Sequence, residues 1–359
     1  MTPTTSLVLS GAGAKGSFHA GAIQKLVDRG VELKRIAGTS AGAINGAVLA
    51  AGLACGRPEK AALMLSTLWV RDGSWRDTLA FSPRALWRCQ GLSSMEKIQA
   101  RLETALWQVM QADGMRTRAP HLGIEFRCVA TDLMGLRKGP TNIGHDREFC
   151  FDGHDFATDP GRKRIARAVC ASAAFPGLFA PVILDGHVLV DGGVCDNAPM
   201  SYALGRGPDL ASDDVTRVIV VSSSAGRPVP KRAASRGWGL ATDVVDILIN
   251  DRLSRDIEAT ETMNRRVSKV DDALFACLSE DRKVILEAFP YRKVEITEIR
   301  PIVDLPGGVF SGLFSKRLRE GYEDAGRVAA GAALRGEPVA PVGNADAPKA
   351  AKKYSEDDA

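Results

Sequence analysis

The sequence has few of the features that mark nucleic-acid-binding, metal-binding or membrane-spanning proteins. Its 359 residues carry a net charge of only +4 without a long run of lysine or arginine, so we expect no nucleic-acid partner. The seven cysteines are odd in number and form no Cys-x-x-Cys pair, which predicts reduced thiols and no zinc site. The most apolar stretch, 43–54, is too short for a membrane span and contains glycine.

A secretion signal is also missing from the first residues. Residues 1–10 have neither a charged start nor a long apolar core, so we expect a cytoplasmic protein, with secretion without a signal peptide as the alternative. The small positive charge is compatible with contact at an anionic membrane surface. Hydrophobic residues make up 45% of the chain and charged residues 25%, which predicts a globular protein with a sizeable core.

Segments with strand and helix periodicity alternate along most of the chain. This alternation predicts an α/β fold whose first strand–helix–strand unit forms a parallel pair with a right-handed crossover. The predicted strands cover 6–10, 33–39, 124–131, 182–190, 215–222 and 291–299, and the predicted helices cover 15–28, 41–53, 238–267 and 313–334. Four of the five tryptophans fall within 55–120, which we interpret as a helical insert. We expect one domain over 5–335, including a C-terminal extension at 226–335, followed by a disordered tail at 336–359.

Two short glycine-framed segments follow the first two predicted strands. They are Gly-Ala-Gly-Ala-Lys-Gly at 11–16 and Gly-Thr-Ser-Ala-Gly at 38–42. The second has the nucleophile-elbow pattern, in which a sharp strand-to-helix turn exposes a serine, here Ser40, between small neighbours. Because parallel strands end at the same edge of a sheet, the first loop can supply backbone N–H donors to the oxyanion that Ser40 would generate.

The loop at 11–16 also matches the dinucleotide-binding fingerprint. Glu32 lies near the position of a ribose-binding acid, so a dinucleotide-binding α/β protein is the main alternative. Three features weigh against it. Lys15 precedes the last glycine, Glu32 precedes the second strand, and that strand ends in Ser40 instead of an acid.

A serine nucleophile needs a base, and histidine is scarce in this chain. The five histidines are His19, His121, His145, His154 and His187, so the last 172 residues contain none. The common hydrolase order of serine, acid and late histidine fits poorly, and we interpret these histidines as surface or structural residues. The remaining candidate base is Asp191, which follows the apolar run 188–190 and precedes Gly192–Gly193. The alternative interpretation of Asp191 and Gly192 is a plain hairpin turn, which we also expect at Asp185–Gly186.

Taken in order, these motifs resemble the signatures of the patatin-like phospholipase family. The matching segments are 11–16, 38–42 and 191–193, together with Ala-Ser-Ala-Ala-Phe-Pro at 171–176, Phe-Ala-Pro at 179–181 and Asn-Ala-Pro at 197–199. The resemblance covers roughly residues 5–225. It implies a three-layer sandwich around a central, mostly parallel sheet. It also implies a lipid acyl hydrolase of the phospholipase A or lysophospholipase type, without a metal or other cofactor.

Carried over by position, the resemblance implies Ser40 as the nucleophile and Asp191 as the base. The implied oxyanion hole contains Gly11, Ala12, Gly13 and Lys15, and the motif glycines are Gly16, Gly38, Gly42, Gly192 and Gly193. Many members of the family carry glycine where this chain has Ala12, and alanine would be strained there if the position required a positive φ. A non-catalytic binding protein with the same fold is the second alternative.

A lipid substrate implies contact with a membrane surface. In the insert, aromatic and apolar side chains lie among arginines, and the residues concerned are Trp69, Trp75, Phe81, Leu86 and Trp87 with Arg71, Arg76, Arg84 and Arg88. This mixture is typical of peripheral contact with lipid. The alternative is that the tryptophans pack the insert against the sheet.

Overall fold

A mixed sheet with helices on both faces forms the centre of the molecule. The computed structural model describes residues 4–81, 91–111, 119–137, 143–204, 215–225, 255, 257–269 and 293–337. Its strands are β1 (Thr4–Leu9), β2 (Arg35–Thr39), β3 (Ala80–Phe81), β4 (Ser93–Ser94), β5 (Glu125–Arg137), β6 (Ile143–Phe151), β7 (Val182–Leu184), β8 (His187–Asp191), β9 (Val215–Val221) and β10 (Glu295–Ile299). Its helices are α1 (Gly16–Asp28), α2 (Ala41–Cys55), α3 (Pro58–Ser66), α4 (Trp75–Thr78), α5 (Glu96–Met110), α6 (Gly153–Ala157), α7 (Asp159–Ser172), α8 (Met200–Ala203) and α9 (Lys316–Leu334). Residues 257–269 are also helical.

The main sheet has the strand order β10-β9-β1-β2-β5-β8-β7, and β6 also pairs with β5. The pairs from β10 through β5 are parallel, whereas β5 pairs antiparallel with both β6 and β8. Strands β7 and β8 form a hairpin whose turn is Asp185–Gly186, with φ of 53° and 80°. The expected Asp-Gly turn is confirmed, and it divides the predicted strand 182–190 into two.

Successive residues of the inner strands enter two separate cores. Leu7 and Leu9 of β1 belong to the larger core, which also contains buried residues of α1, α2 and α9. Val8, between them, belongs to a smaller core with Met200 of α8 and Ile257. Because side chains of a strand alternate between faces, the sheet is covered on both sides. This confirms the predicted α/β class and three-layer arrangement.

The helical insert joins the larger core. Leu65 of α3 and Leu102 and Leu106 of α5 are buried in the same cluster as α2. Between α3 and α4 the chain makes a turn of π-helix at Thr67–Arg71. Residues 82–90, which include Leu86 and Trp87, lie outside the described residues.

The chain after residue 225 adds β10 and α9 to the same body. β10 extends the sheet beside β9, and α9 packs along α1. The first part of the predicted helix 238–267 and all but the first two residues of the predicted tail 336–359 lie outside the described residues. The helix predicted from 313 begins at Lys316, because Ser315 accepts the N–H of Leu318 and caps it.

Candidate active site

Ser40 occupies a strained turn between β2 and α2. Its φ and ψ are 54° and −123°, a conformation that costs a non-glycine residue roughly 1–3 kcal/mol. A Cβ on Gly38 would lie 2.5 Å from the carbonyl oxygen of Gly42, and a Cβ on Gly42 would lie 2.1 Å from that of Leu9. Only glycine fits at these two positions, so the two framing glycines allow the backbone to turn this sharply.

The structure brings Asp191 against Ser40. Ser40 Oγ donates a hydrogen bond of 2.6 Å to Asp191 Oδ2, although the two residues are 151 positions apart. Asp191 lies at the end of β8, where its Cα pairs with that of Ala130 on β5. The turn after β8 also donates to the carboxylate, since the Gly193 N–H lies 2.7 Å from Oδ1. A Cβ on Gly192 would lie 2.0 Å from the Val129 carbonyl oxygen, so this turn too requires glycine.

Burial changes the chemistry of this carboxylate. Asp191 is only 4% exposed, and burial raises its pKa to about 6, while hydrogen bonds from Ser40 and Gly193 act in the opposite direction. A carboxylate with a raised pKa is a stronger base than an ordinary aspartate. The pair can therefore activate a hydroxyl close to neutral pH.

A buried serine on α7 holds the Ser40 backbone in position. Ser172 Oγ accepts the Ser40 backbone N–H at 2.9 Å and donates to the Val129 carbonyl at 2.6 Å. Sequence reasoning included Ser172 in the matching stretch 171–176 but assigned it no role. The only signal was a serine among the small residues of this stretch.

The loop at 11–16 has two backbone N–H groups without a partner in the described residues, those of Ala12 and Gly13. The Gly11 N–H donates a hydrogen bond of 2.9 Å to the Asn197 backbone carbonyl, and the Lys15 N–H donates one to the Ala12 carbonyl. These bonds remove the amides of Gly11 and Lys15 from the predicted oxyanion hole. The Lys15 side chain is also absent from the wall of the cavity described below.

The alanine in this loop is unstrained. Ala12 has a φ of −143°, whereas the positive φ of 53° falls on Gly13. The strain considered for alanine at position 12 is therefore absent. Gly16 is required for a different reason, because a Cβ there would lie 2.3 Å from the Trp69 ring.

A cavity of about 440 Å³ opens beside the two side chains, within the size range of ligand pockets. Its wall is mainly apolar and includes Ile44, Leu68, Trp69, Leu102, Phe175, Phe179, Phe310 and Leu313. Trp69 is fixed in this wall by a hydrogen bond of 2.6 Å from its indole N–H to Asn45. This tryptophan of the insert thus lines the cavity.

Two polar residues, Arg101 and Asn197, also line the cavity, and neither was predicted from the sequence to do so.

The histidines lie outside the wall of this cavity. None of the five is among the described residues that line the cavity. His19 is fully buried, and burial lowers its pKa to about 3, so it is neutral. His187 Nδ1 lies 2.6 Å from the buried Asp132 Oδ2, which is a separate pair. Within the described ranges, no group of three or more His, Cys, Asp or Glu side chains could hold a metal ion.

Comparison with known proteins gives a consistent set of relatives. A family model described as patatin-like phospholipase matches residues 7–204. An uncharacterized NTE family protein of Mycobacterium tuberculosis is 29% identical over 238 residues, which cover 65% of this chain and 52% of that protein. Lysophospholipase nte1 of Aspergillus terreus is 27% identical over 218 residues, which cover 58% of this chain and 11% of that protein. This chain spans about half the length of its mycobacterial relative.

Among solved structures, this chain is similar to VipD from Legionella pneumophila. The TM-score is 0.43 at 15% sequence identity, and the match covers 94% of this chain and 67% of that chain. The type III effector protein ExoU is similar at a TM-score of 0.35 and 15% identity, over 93% of this chain and 53% of that chain.

Proposed function

Because this chain belongs to the patatin-like phospholipase family, we propose that it hydrolyses carboxylic esters of membrane lipids with Ser40 as nucleophile and Asp191 as base. The observation that carries this proposal is the 2.6 Å hydrogen bond between the serine hydroxyl and the buried carboxylate. A nucleophile and a base within hydrogen-bond reach are the minimum that covalent catalysis requires.

In the acylation step, Asp191 takes the proton of Ser40 as Oγ attacks the ester carbonyl. The negative charge that develops on the carbonyl oxygen is stabilised by the free N–H groups of Ala12 and Gly13. The alcohol part of the lipid leaves with the proton held by Asp191. An acyl-enzyme on Ser40 remains, and water hydrolyses it.

The apolar cavity supports a lipid as substrate. Its wall of aliphatic and aromatic side chains can bury an acyl chain, which gains free energy in proportion to the apolar area removed from water. The relative named lysophospholipase nte1 is consistent with a monoacyl phospholipid ester. We propose the phospholipase A or lysophospholipase type of reaction for this chain.

The geometry of the glycine loop disfavours the dinucleotide alternative. A pyrophosphate is bound by several free backbone N–H groups at a helix N-terminus. Here Gly11, Ala14 and Lys15 donate their N–H groups to other backbone carbonyls. The loop has donors for one small oxyanion, which matches an ester hydrolase better than a dinucleotide enzyme.

A fluorophosphonate probe tests the proposal, because it labels only an activated serine. We expect the wild-type chain to be labelled at Ser40 and the Ser40→Ala variant to remain unlabelled. Ser315→Ala, which removes only the cap of α9, is the matched control and should be labelled like the wild type. A wild-type chain without label would favour the non-catalytic binding protein.

A further inference from the structure

Asn197 is a buried polar residue in the cavity wall that the acylation step does not use. It is 1% exposed, and its side-chain Oδ1 and Nδ2 have no hydrogen-bond partner in the described part of the chain. None of the other described residues lining the cavity has an unpartnered buried side-chain atom. Leaving a buried amide without partners costs roughly 1–3 kcal/mol, so a ligand that satisfies both atoms is expected.

The amide lies between the groups that carry out the reaction. A Cβ on Gly11 would be 2.2 Å from Asn197 Oδ1 and 3.5 Å from Ser40 Cβ. A Cβ on Gly193 would be 3.0 Å from both Asn197 Oδ1 and Asp191 Oδ1. The side chain is therefore close to the nucleophile on one side and to the base on the other. Its backbone carbonyl is fixed by the Gly11 N–H at 2.9 Å.

The chemistry of an amide selects the ligand. An oxyanion only accepts hydrogen bonds, so it would satisfy Nδ2 and leave Oδ1 without a donor. A water molecule donates two hydrogen bonds and accepts two, so one water can accept from Nδ2–H and donate to Oδ1. The water still has a second hydrogen for Asp191 and a second lone pair for a carbonyl carbon.

We propose that the Asn197 amide binds the water that hydrolyses the acyl-enzyme, and this inference rests on the proposed function. Once Ser40 Oγ is acylated it has no proton to donate, so Asp191 Oδ2 loses this hydrogen bond. Oδ2 can then accept a hydrogen bond from the water. The water oxygen bonds to the acyl carbon as its proton passes to Asp191. The bond from the acyl carbon to Oγ then breaks, Oγ takes the proton from Asp191, and the fatty acid leaves.

The test separates acylation from deacylation with 4-nitrophenyl octanoate. Release of nitrophenolate in the first turnover reports acylation, and the mass of the quenched protein reports the fraction of chains that carry the acyl group. For Asn197→Ala we expect first-turnover release within about threefold of wild type and steady-state turnover lower by about a hundredfold. The acyl-enzyme should accumulate to most of the protein.

Two further variants keep the test decisive. Asn197→Asp preserves the shape of the side chain and should also accumulate acyl-enzyme. It should shift the acid limb of the pH profile to higher pH, because a second carboxylate raises the pKa of Asp191. Asn264→Ala is the matched control, since the Asn264 side chain bonds both the N–H and the C=O of Val294. It should lower the melting temperature without changing the acyl-enzyme fraction.

Each outcome decides the inference. Equal slowing of both phases in Asn197→Ala would assign the amide to the oxyanion and overturn the proposal, and unchanged kinetics would overturn it as well. Failure of the proposed function is distinguishable, because the wild type itself would then neither turn over the ester nor react with the fluorophosphonate at Ser40.

Discussion

At the scale of single residues, the burial of Asp191 has opposite effects on the proposed catalysis and on stability. The apolar surroundings raise its pKa to about 6, which strengthens it as a base. The same surroundings make its ionised form costly at neutral pH, because a buried charge loses its hydration. Burial of Asp191 should therefore change both the pH dependence of activity and the free energy of unfolding.

The first prediction concerns the pH dependence of activity. Asp191 must be ionised to accept the Ser40 proton, so kcat/KM for a soluble ester should rise with pH and reach half of its plateau near pH 6. A pH–rate profile between pH 4 and 8.5 measures this. A half-point near pH 4, the value of an ordinary aspartate, would show that burial does not tune the base.

The second prediction concerns stability. The folded-state pKa of Asp191 lies above the unfolded value of about 3.9, so its favourable contribution is complete below about pH 4 and is lost as pH rises through 6. Asp191→Asn should therefore raise the free energy of unfolding by about 2–3 kcal/mol at pH 7.5 and have little effect at pH 4. Urea unfolding at both pH values is the measurement.

Asp304→Asn provides the control for the loss of one carboxylate, since Asp304 is exposed. We expect its unfolding free energy to match that of the wild type at both pH values. Equal stability of Asp191→Asn and wild type at pH 7.5 would contradict the argument from burial.

At the scale of elements, the contact between α1 and α9 depends on two glycines. A Cβ on Gly21 of α1 would lie 1.8 Å from the Glu323 carbonyl oxygen, and a Cβ on Gly326 of α9 would lie 2.0 Å from that of Phe18. Each glycine thus lets the backbone of the other helix approach closely. The C-terminal helix is therefore fixed against the helix that follows the glycine loop.

The third prediction uses two glycines of the same helix. Gly326→Ala should lower the unfolding free energy by about 2–4 kcal/mol, because backbone atoms have to move apart. Gly331→Ala should instead raise it by roughly 0.5–1 kcal/mol, since a Cβ there meets only flexible side chains and alanine favours helix. Chemical denaturation of both variants measures the difference. Effects of the same sign and size would contradict the packing of α9 on α1.

The C-terminal helix also supports the cavity wall. Buried Arg319 donates to the carbonyls of Val70, at 3.2 and 3.3 Å, and Gly312, at 2.7 Å, and burial lowers its pKa. These carbonyls belong to the segments that present Trp69 and Leu313 to the cavity. The wall of the site therefore depends on an element beyond the 7–204 region matched by the family model.

At the scale of the whole molecule, the proposed function requires that a membrane lipid reaches Ser40. None of the helices in the described part of the chain combines the length and apolar character of a membrane span. Exposed apolar side chains lie at the cavity, as Val194 is both 59% exposed and part of the wall. Trp75 is 36% exposed and lies between the lining residues Gly73 and Thr78. We propose that this side of the molecule contacts the lipid surface.

The fourth prediction compares two exposed tryptophans. Trp75→Ala should lower the fraction of protein that sediments with anionic phospholipid vesicles by roughly threefold to tenfold, because it removes an exposed aromatic side chain between two cavity-lining residues. Trp107→Ala is the matched control, since Trp107 is 50% exposed and is not among the cavity-lining residues. Equal vesicle binding by wild type and Trp75→Ala would refute contact through this side. The cytoplasmic location and the disordered tail stay predictions.

The sequence by itself determined the first strand–helix–strand unit, the glycine-framed turn at Ser40 and the end of β8 at Asp191, but it predicted neither β6 nor α7. These features depend on neighbouring residues, through hydrophobic periodicity and the backbone freedom of glycine, so local pattern is sufficient. It could not determine which tryptophans face inward, since a mixed aromatic and basic segment suits either a core or a lipid surface.

Only the tertiary structure decided which polar groups meet. Segments far apart in the chain meet in the contacts of Ser40 with Asp191 and Ser172 and in the hydrogen bond from the Gly11 N–H to Asn197. The same packing buries the Asn197 amide without a partner. Such contacts depend on strand order and register, where a shift of one residue reverses every side chain. The raised pKa of Asp191 has the same origin, because it results from burial by several elements together.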